Sequence, residues 1–174
     1  MALRREPRAE TPSFAEVAAK HLDDVHAYLL YLTGSRSAAE DLAADTFEKA
    51  FRFWRRFDPR RGSARTWLCQ IARSTALDHF RAEQRRLRRE NVYALREPGA
   101  PLESAFGEGL SPELEAALRS LSAGEREVIA LRVLLDLDGE TAARVLGISP
   151  TACSTRLARA LAKLEEKVRS HAVA

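Results

Sequence analysis

Between Arg81 and Arg89 the chain places five arginines in nine residues: Arg81, Arg85, Arg86, Arg88 and Arg89. Such a run repels itself unless counter-charge neutralises it, and the chemistry that matches it is binding along a phosphate backbone. The bland alternative is a solubilising helix end. A second candidate surface lies toward the C-terminus, where Thr151, Ser154, Thr155, Ala158 and Arg159 share one helical face. Cys153, Leu157, Ala160, Leu161 and Leu164 share the opposite one, which is expected to be buried. Small hydroxyls that bond base edges or phosphates, beside an arginine that forks onto guanine, suit a major groove. From Arg144 to Arg169 there are six basic residues and two acidic ones, so this element is cationic. A helical hairpin with a solvated face is the alternative.

Bond-making chemistry has no comparable signal. The sequence has no glycine-rich phosphate loop, no nucleophile with a nearby base and no clustered carboxylates, so an enzyme is not expected. Cys69 and Cys153 are far apart without partners at metal-ligand spacing, and they are expected to be reduced core thiols. His21 and His26 are five residues apart, on different helix faces. With Asp23 and Asp24 they are expected to be surface groups, and neither a metal nor a cofactor is expected.

These groups are positioned by helices. Ser13-x-x-Glu16, Ser37-x-x-Glu40 and Ser122-x-x-Glu125 have capping-box spacing, each followed by apolar residues at helical period, and strand alternation is absent. The spacing predicts helices near 14–33, 38–56, 64–88, 112–120, 123–136, 138–146 and 150–168, an all-α protein. Pro59 and Gly62 mark Asp58–Ser63 as a turn, and Gly62 permits a positive φ that arginine resists. Glu140 to Pro150 encodes a short helix, a turn at Gly147, a corner plug at Ile148, and a Ser149 cap before Pro150, which together make a helix-turn-helix. Ala142 and Ala143 are small where two helices must approach.

Pro98 to Pro112 holds three glycines and three prolines in fifteen residues, a composition that sustains neither helix nor core. It divides the 174 residues into a charged tail (1–13), a first domain (14–97), a linker (98–111) and a second domain (112–169). Up to Glu97 there are 19 basic and 14 acidic residues, and after it 9 and 11, so the first part is the basic one. No segment approaches the ~20 apolar residues of a membrane span, and the cytoplasm is the default location.

Phe57 to Arg73, followed by Ala76-Leu77-Asp78-His79-Phe80-Arg81, resembles the second conserved region of bacterial sigma factors. Leu121 to Arg132 followed by the helix-turn-helix resembles the fourth, and together they resemble the extracytoplasmic-function group of the sigma-70 family. The resemblance covers about residues 14–88 and 112–168. It implies two small helical domains and an alternative sigma factor that directs promoter-specific initiation on bacterial core RNA polymerase. Helix 37–54 would dock on the clamp of the largest subunit through Asp41, Leu42, Asp45, Glu48 and Arg52, whose bland reading is a solvated face, while the second domain meets the flap. The loop residues Arg60, Arg61, Ser63, Ala64 and Arg65, with Arg73, His79, Arg81, Arg85 and Arg86, would capture an unstacked −10 base and hold the melted strand. Trp67 is expected to be structural. Thr151, Ser154, Thr155, Arg156, Ala158, Arg159 and Lys163 would read the −35 element.

Family members often carry a basic residue at the place of Ser154 and another at that of Leu161, so the −35 face here is less charged than usual. Ala64 stands where some relatives place a bulky base-capturing side chain, and Ser74 where many place asparagine. The acidic linker is expected to thread toward the polymerase cleft, and weak DNA binding is expected without polymerase. An anti-sigma protein is a frequent family partner that nothing in this chain identifies. No segment resembling the extra domains of primary sigma factors fits in the length. The rival readings are a stand-alone helix-turn-helix regulator and a small helical enzyme acting on nucleic acid.

Overall fold

The computed structural model describes residues 12–89 and 111–172; the expected tail over 1–11 and the linker lie outside them, apart from Ser111. Seven α-helices are found among the described residues: α1 (Phe14–Thr33), α2 (Arg36–Phe53), α3 (Ala64–Arg89), α4 (Pro112–Arg119), α5 (Ala123–Ile129), α6 (Gly139–Leu146) and α7 (Pro150–Ala172). The first three pack on one another, and α4, α5 and α6 pack around α7. The two groups also touch, α3 against α6 and α1 against the turn after α5. Buried apolar residues from both groups form one continuous cluster.

Local chemistry accounts for most helix ends. Ser13 and Glu16 make the expected capping box on α1, and Ser122 and Glu125 make the one on α5. The third is displaced, because Ser35 and not Ser37 caps α2, its hydroxyl accepting from Ala38 N at 3.4 Å. Gly34 closes α1 in the left-handed conformation (φ 64°), leaving one residue between the helices to serve as the next cap. After α2 the chain tightens into a 3₁₀ turn, Trp54–Arg56.

The helix expected over 123–136 is broken. After Ile129 it widens into a π turn, Ala130–Leu134, and ends at Asp136 (φ 48°). Leu135 N donates to Ala130 O and Leu137 N to Leu131 O, both at 2.9 Å. The wider turn lets Leu131, Leu135 and Leu137 all reach the core. The apolar face of α7 also runs narrower than expected. Leu161 is 47% exposed, since at about 100° per residue it lies well off the line of Cys153, Leu157, Ala160 and Leu164. Phe51, near the end of α2, is 66% exposed, with its ring 5.3 Å from that of Phe14.

Candidate nucleic-acid interface

The helix-turn-helix forms from α6 and α7. Asp138 caps α6, accepting from Thr141 N at 2.9 Å and from the Thr141 hydroxyl at 2.6 Å. Those bonds, the side-chain one foremost, hold the Asp138 carboxyl below its usual range. Gly147 closes α6 at φ 68°, ψ 34°, and Ile148 N turns back to Ala143 O at 3.1 Å. Ser149 caps α7, accepting from Ala152 N at 3.1 Å. Ala142 and Ala143 are buried where α6 meets α7, and Ile148 packs on the core, as the spacing predicts.

The outer face of α7 is open. Thr151, Ser154, Thr155, Ala158 and Arg159 are exposed, and a cleft of about 530 Å³ runs between α7 and the start of α5, lined in part by Thr151, Thr155, Arg156 and Arg159. The two remaining −35 candidates are partly engaged. The Arg156 guanidinium lies over Gly124, where an added Cβ would meet its Nη1 at 3.2 Å, and Lys163 Nζ donates to Glu125 Oε2 at 3.2 Å. Glu125 is held below its usual range, first by the Ser122 backbone bond.

In the N-terminal group the turn before α3 builds a second cleft. Arg61 N donates to Asp58 O and Arg60 N to Asp58 Oδ1, both at 3.0 Å, and Gly62 has φ 153°. Ser63 caps α3 through Thr66 N at 3.1 Å, and the two hydroxyls bond at 2.9 Å. Trp54 stacks on Phe57 with ring centroids 4.9 Å apart, and Trp67 leans on both. The resulting cleft, about 310 Å³, has Phe57 and Trp67 as an aromatic wall and Arg61, Ser63, Thr66 and Gln70 as polar groups. A base out of its stack needs that combination, a π-face to lie on and donors or acceptors for its edge.

The −10 candidates fall into three sets. Arg61 and Ser63 line the cleft, with Arg60 exposed and Ala64 half-buried beside it. His79, Arg81, Arg85 and Arg86 follow along α3, where Arg81 pairs with Asp78 and Arg86 with Glu83, each at 3.2 Å. Those two pairs lie on the surface, where an ion pair adds little stability. Arg65 and Arg73 are not free for a strand in this conformation. Arg65 Nε donates to Asp24 Oδ2 at 2.7 Å, and Arg73 Nε lies 2.9 Å from Glu127 Oε1.

On α2, Asp41, Asp45, Glu48 and Arg52 are exposed, with Glu48 and Arg52 paired to each other. Leu42 is not on that face. It is 5% exposed and packs in the core, so it supports the helix and presents nothing to a partner.

Asp24, expected to be a surface group, instead anchors Arg65, and His21 Nδ1 lies 3.5 Å from the same carboxylate. Glu127, Arg56, Phe57, Gln70 and Arg144 are not among the individual candidates read from the sequence; the first is half of an ion pair and the rest line the cleft. Cys69 and Cys153 are buried free thiols, and burial pushes Cys69 up to about 12. Among the described residues there is no cluster of groups able to hold a metal ion, and no helix long and apolar enough to cross a membrane.

A family model described as Sigma-70 region 2 matches residues 17–86, and one described as Sigma-70, region 4 matches residues 111–164. The chain is similar to the ECF RNA polymerase sigma factor BldN of Streptomyces coelicolor, with 30% identity over 168 residues that cover 93% of this chain and 64% of BldN. It is 30% identical to the RNA polymerase sigma factor CarQ of Myxococcus xanthus over 158 residues, 88% of each chain. The fold resembles that of the sigma factor RpoE from Bartonella quintana, solved with the anti-sigma factor NepR, at TM-score 0.77 and 24% identity over 90% of this chain and 96% of that one. CnrH, solved with the cytosolic domain of CnrY, gives TM-score 0.66 and 26% identity over 90% and 88%. Two sigma-region matches in order on one chain, with CarQ matched over most of its length, decide the family. The chain belongs to the sigma-70 family of RNA polymerase sigma factors, in its extracytoplasmic-function group.

Proposed function

We propose that this chain is an alternative sigma factor that lends bacterial core RNA polymerase two DNA-reading surfaces. The observation that carries the proposal is the pairing, on one chain, of an aromatic-walled cleft beside an arginine-bearing helix with an open helix-turn-helix face. In this reading Asp41, Asp45, Glu48 and Arg52 meet the clamp of the polymerase's largest subunit. The cleft takes a base of the −10 element once it leaves the stack, and Arg81, Arg85 and Arg86 neutralise the phosphates of the melted strand. The α7 face enters the major groove at the −35 element, with Thr151, Ser154 and Thr155 bonding bases or phosphates and Arg159 forking onto a guanine. The chain performs no bond chemistry; its product is the position at which transcription starts.

The proposal includes a protein partner besides the polymerase, on the ground that the similar CnrH was solved in complex with the cytosolic domain of CnrY. The test is run-off transcription with purified core polymerase, followed by sequencing of the transcript starts. Discrete starts that depend on this chain are expected. A chain that protects a duplex site by itself while yielding no polymerase-dependent start would be a stand-alone regulator.

A further inference from the structure

The cleft before α3 continues outward along the end of α2. Phe53, the last residue of α2, is 46% exposed, whereas Trp54 beside it packs on the core. Lys49 stands one helical turn before Phe53 and donates to the Thr75 hydroxyl on α3 at 3.2 Å. The line through Lys49 and Phe53 therefore runs along the α3 side of α2, roughly 110° round the helix from the face of Asp41, Asp45 and Glu48. The Arg56 guanidinium carbon lies over the Phe53 ring, 5.4 Å from its centre. Arg56 also lines the cleft with Phe57 and Trp67, so the Phe53–Arg56 pair extends the aromatic wall beyond the cleft. Arg55, Arg56, Arg60 and Arg61 are exposed and make no ion pair among the described residues. Asp58 is the only carboxylate between Glu48 and Asp78, which leaves this edge strongly cationic.

We infer that Phe53 and Arg56 form a second stacking platform, which takes the nucleotide adjoining the base captured in the cleft, on the single strand of the melted promoter. A base continues the stack that the pair begins, because aromatic rings and guanidinium planes both take nucleobases on their faces. Every base has a π-face, so the platform lengthens the strand that is held without adding a sequence preference. Arg55 and Arg60 meet the phosphates on either side of that nucleotide. Four unpaired guanidinia around one ring match a strand that carries a phosphate at every nucleotide. An apolar protein groove would cover the ring and desolvate those charges without neutralising them. Arg56 already lies over Phe53 in the free chain, so less side-chain freedom is lost when the base arrives. The place of that nucleotide beside the cleft rests on the −10 reading above.

The test uses core polymerase loaded with the full chain and a promoter found by the transcript sequencing, with its −10 region left unpaired. Each nucleotide of the captured strand is replaced in turn by an abasic one. Wild type is compared with Phe53→Ala, Phe53→Leu and Phe53→Tyr, and Arg61→Ala reports on the cleft itself. Phe53 is exposed, so its variants keep the fold, which circular dichroism checks. The alanine and leucine variants are expected to bind the intact strand about fivefold or more weakly whatever its sequence, and the tyrosine variant to bind as wild type does. Wild type should lose affinity when either of two adjoining bases is removed, and Phe53→Ala should respond to only one of them. Three results overturn the platform: unchanged affinity in Phe53→Ala, a leucine variant as good as wild type, or a loss that persists undiminished at every abasic position. Weaker binding of Phe53→Ala to core polymerase without DNA overturns it as well. If Phe53→Ala and Arg61→Ala both bind as wild type does, the −10 reading falls with the platform; a loss with Arg61→Ala alone removes the platform and leaves that reading standing.

Discussion

Replacing Arg159 with alanine isolates base reading from folding. Arg159 is exposed on α7, lines the cleft beside Thr155, and makes no hydrogen bond or ion pair among the described residues. Its removal therefore breaks no hydrogen bond or ion pair among the described residues, and the change in folding stability should stay within about 0.5 kcal/mol. Lys163 would be a poorer probe, since it is tied to the Glu125 carboxylate that caps α5. A guanidinium bonded twice to one base is worth about 1–3 kcal/mol, or about 5-fold to 150-fold in affinity. The assay first selects a preferred −35 sequence from randomised promoters using polymerase loaded with the wild-type chain. It then measures binding of wild type and Arg159→Ala to that promoter and to one with the element scrambled. The loss should appear in full on the preferred promoter and largely vanish on the scrambled one. Equal losses on both would mean that Arg159 meets only phosphate, and the base-reading assignment would be wrong.

Neutralising Arg85 and Arg86 together should weaken binding to single-stranded DNA whatever its sequence and flatten the salt dependence, by about 0.7 in log–log slope for each phosphate that is no longer neutralised; an unchanged slope would take that part of α3 off the strand. Gly147→Ala should cost about 1 kcal/mol in urea unfolding, because φ is 68° and an added Cβ would meet nothing within 4 Å, leaving backbone strain as the whole effect. A neutral result would mean that the turn relaxes without cost. Glu16, Glu125 and Asp138 all titrate below their usual range in the folded chain, held by hydrogen bonds to Ser13, Ser122 and Thr141 respectively. With the folded value below the unfolded one of about 4, their stabilisation is complete above that pH and is lost as pH falls through the depressed folded values. Urea melts of an Asp138→Asn, Glu125→Gln chain should accordingly show a weaker loss of stability between neutral pH and pH about 3 than wild type; the same acid dependence in both would place the sensitive groups elsewhere.

Residue spacing along the chain was enough to specify the helices, the two caps at Ser13 and Ser122, the turn at Gly147 and the open face of Thr151 to Arg159. Each of these depends on residues within about one or two helical turns of each other, so local order carries the information. Where a local signal failed, the competing influence was close at hand: Gly34 moved the α2 cap to Ser35, and core packing of three leucines opened the π turn after Ile129. The partners of the arginines were of another kind. Arg85 and Arg86 stand in the arginine run, whereas Arg65 and Arg73 join them as strand-holding candidates only through the family resemblance. Docking of the helices divides them, by bringing Asp24 to Arg65 across 41 residues, Glu127 to Arg73 across 54 and the Leu135 carbonyl to Arg65 across 70. Such pairings leave no periodic trace, since a single carboxylate or carbonyl at any distance along the chain serves equally once the helices dock. The cleft is likewise a property of packing, because Phe57, Trp67 and Arg144 meet there only after the loop before α3 and the helix-turn-helix have come together.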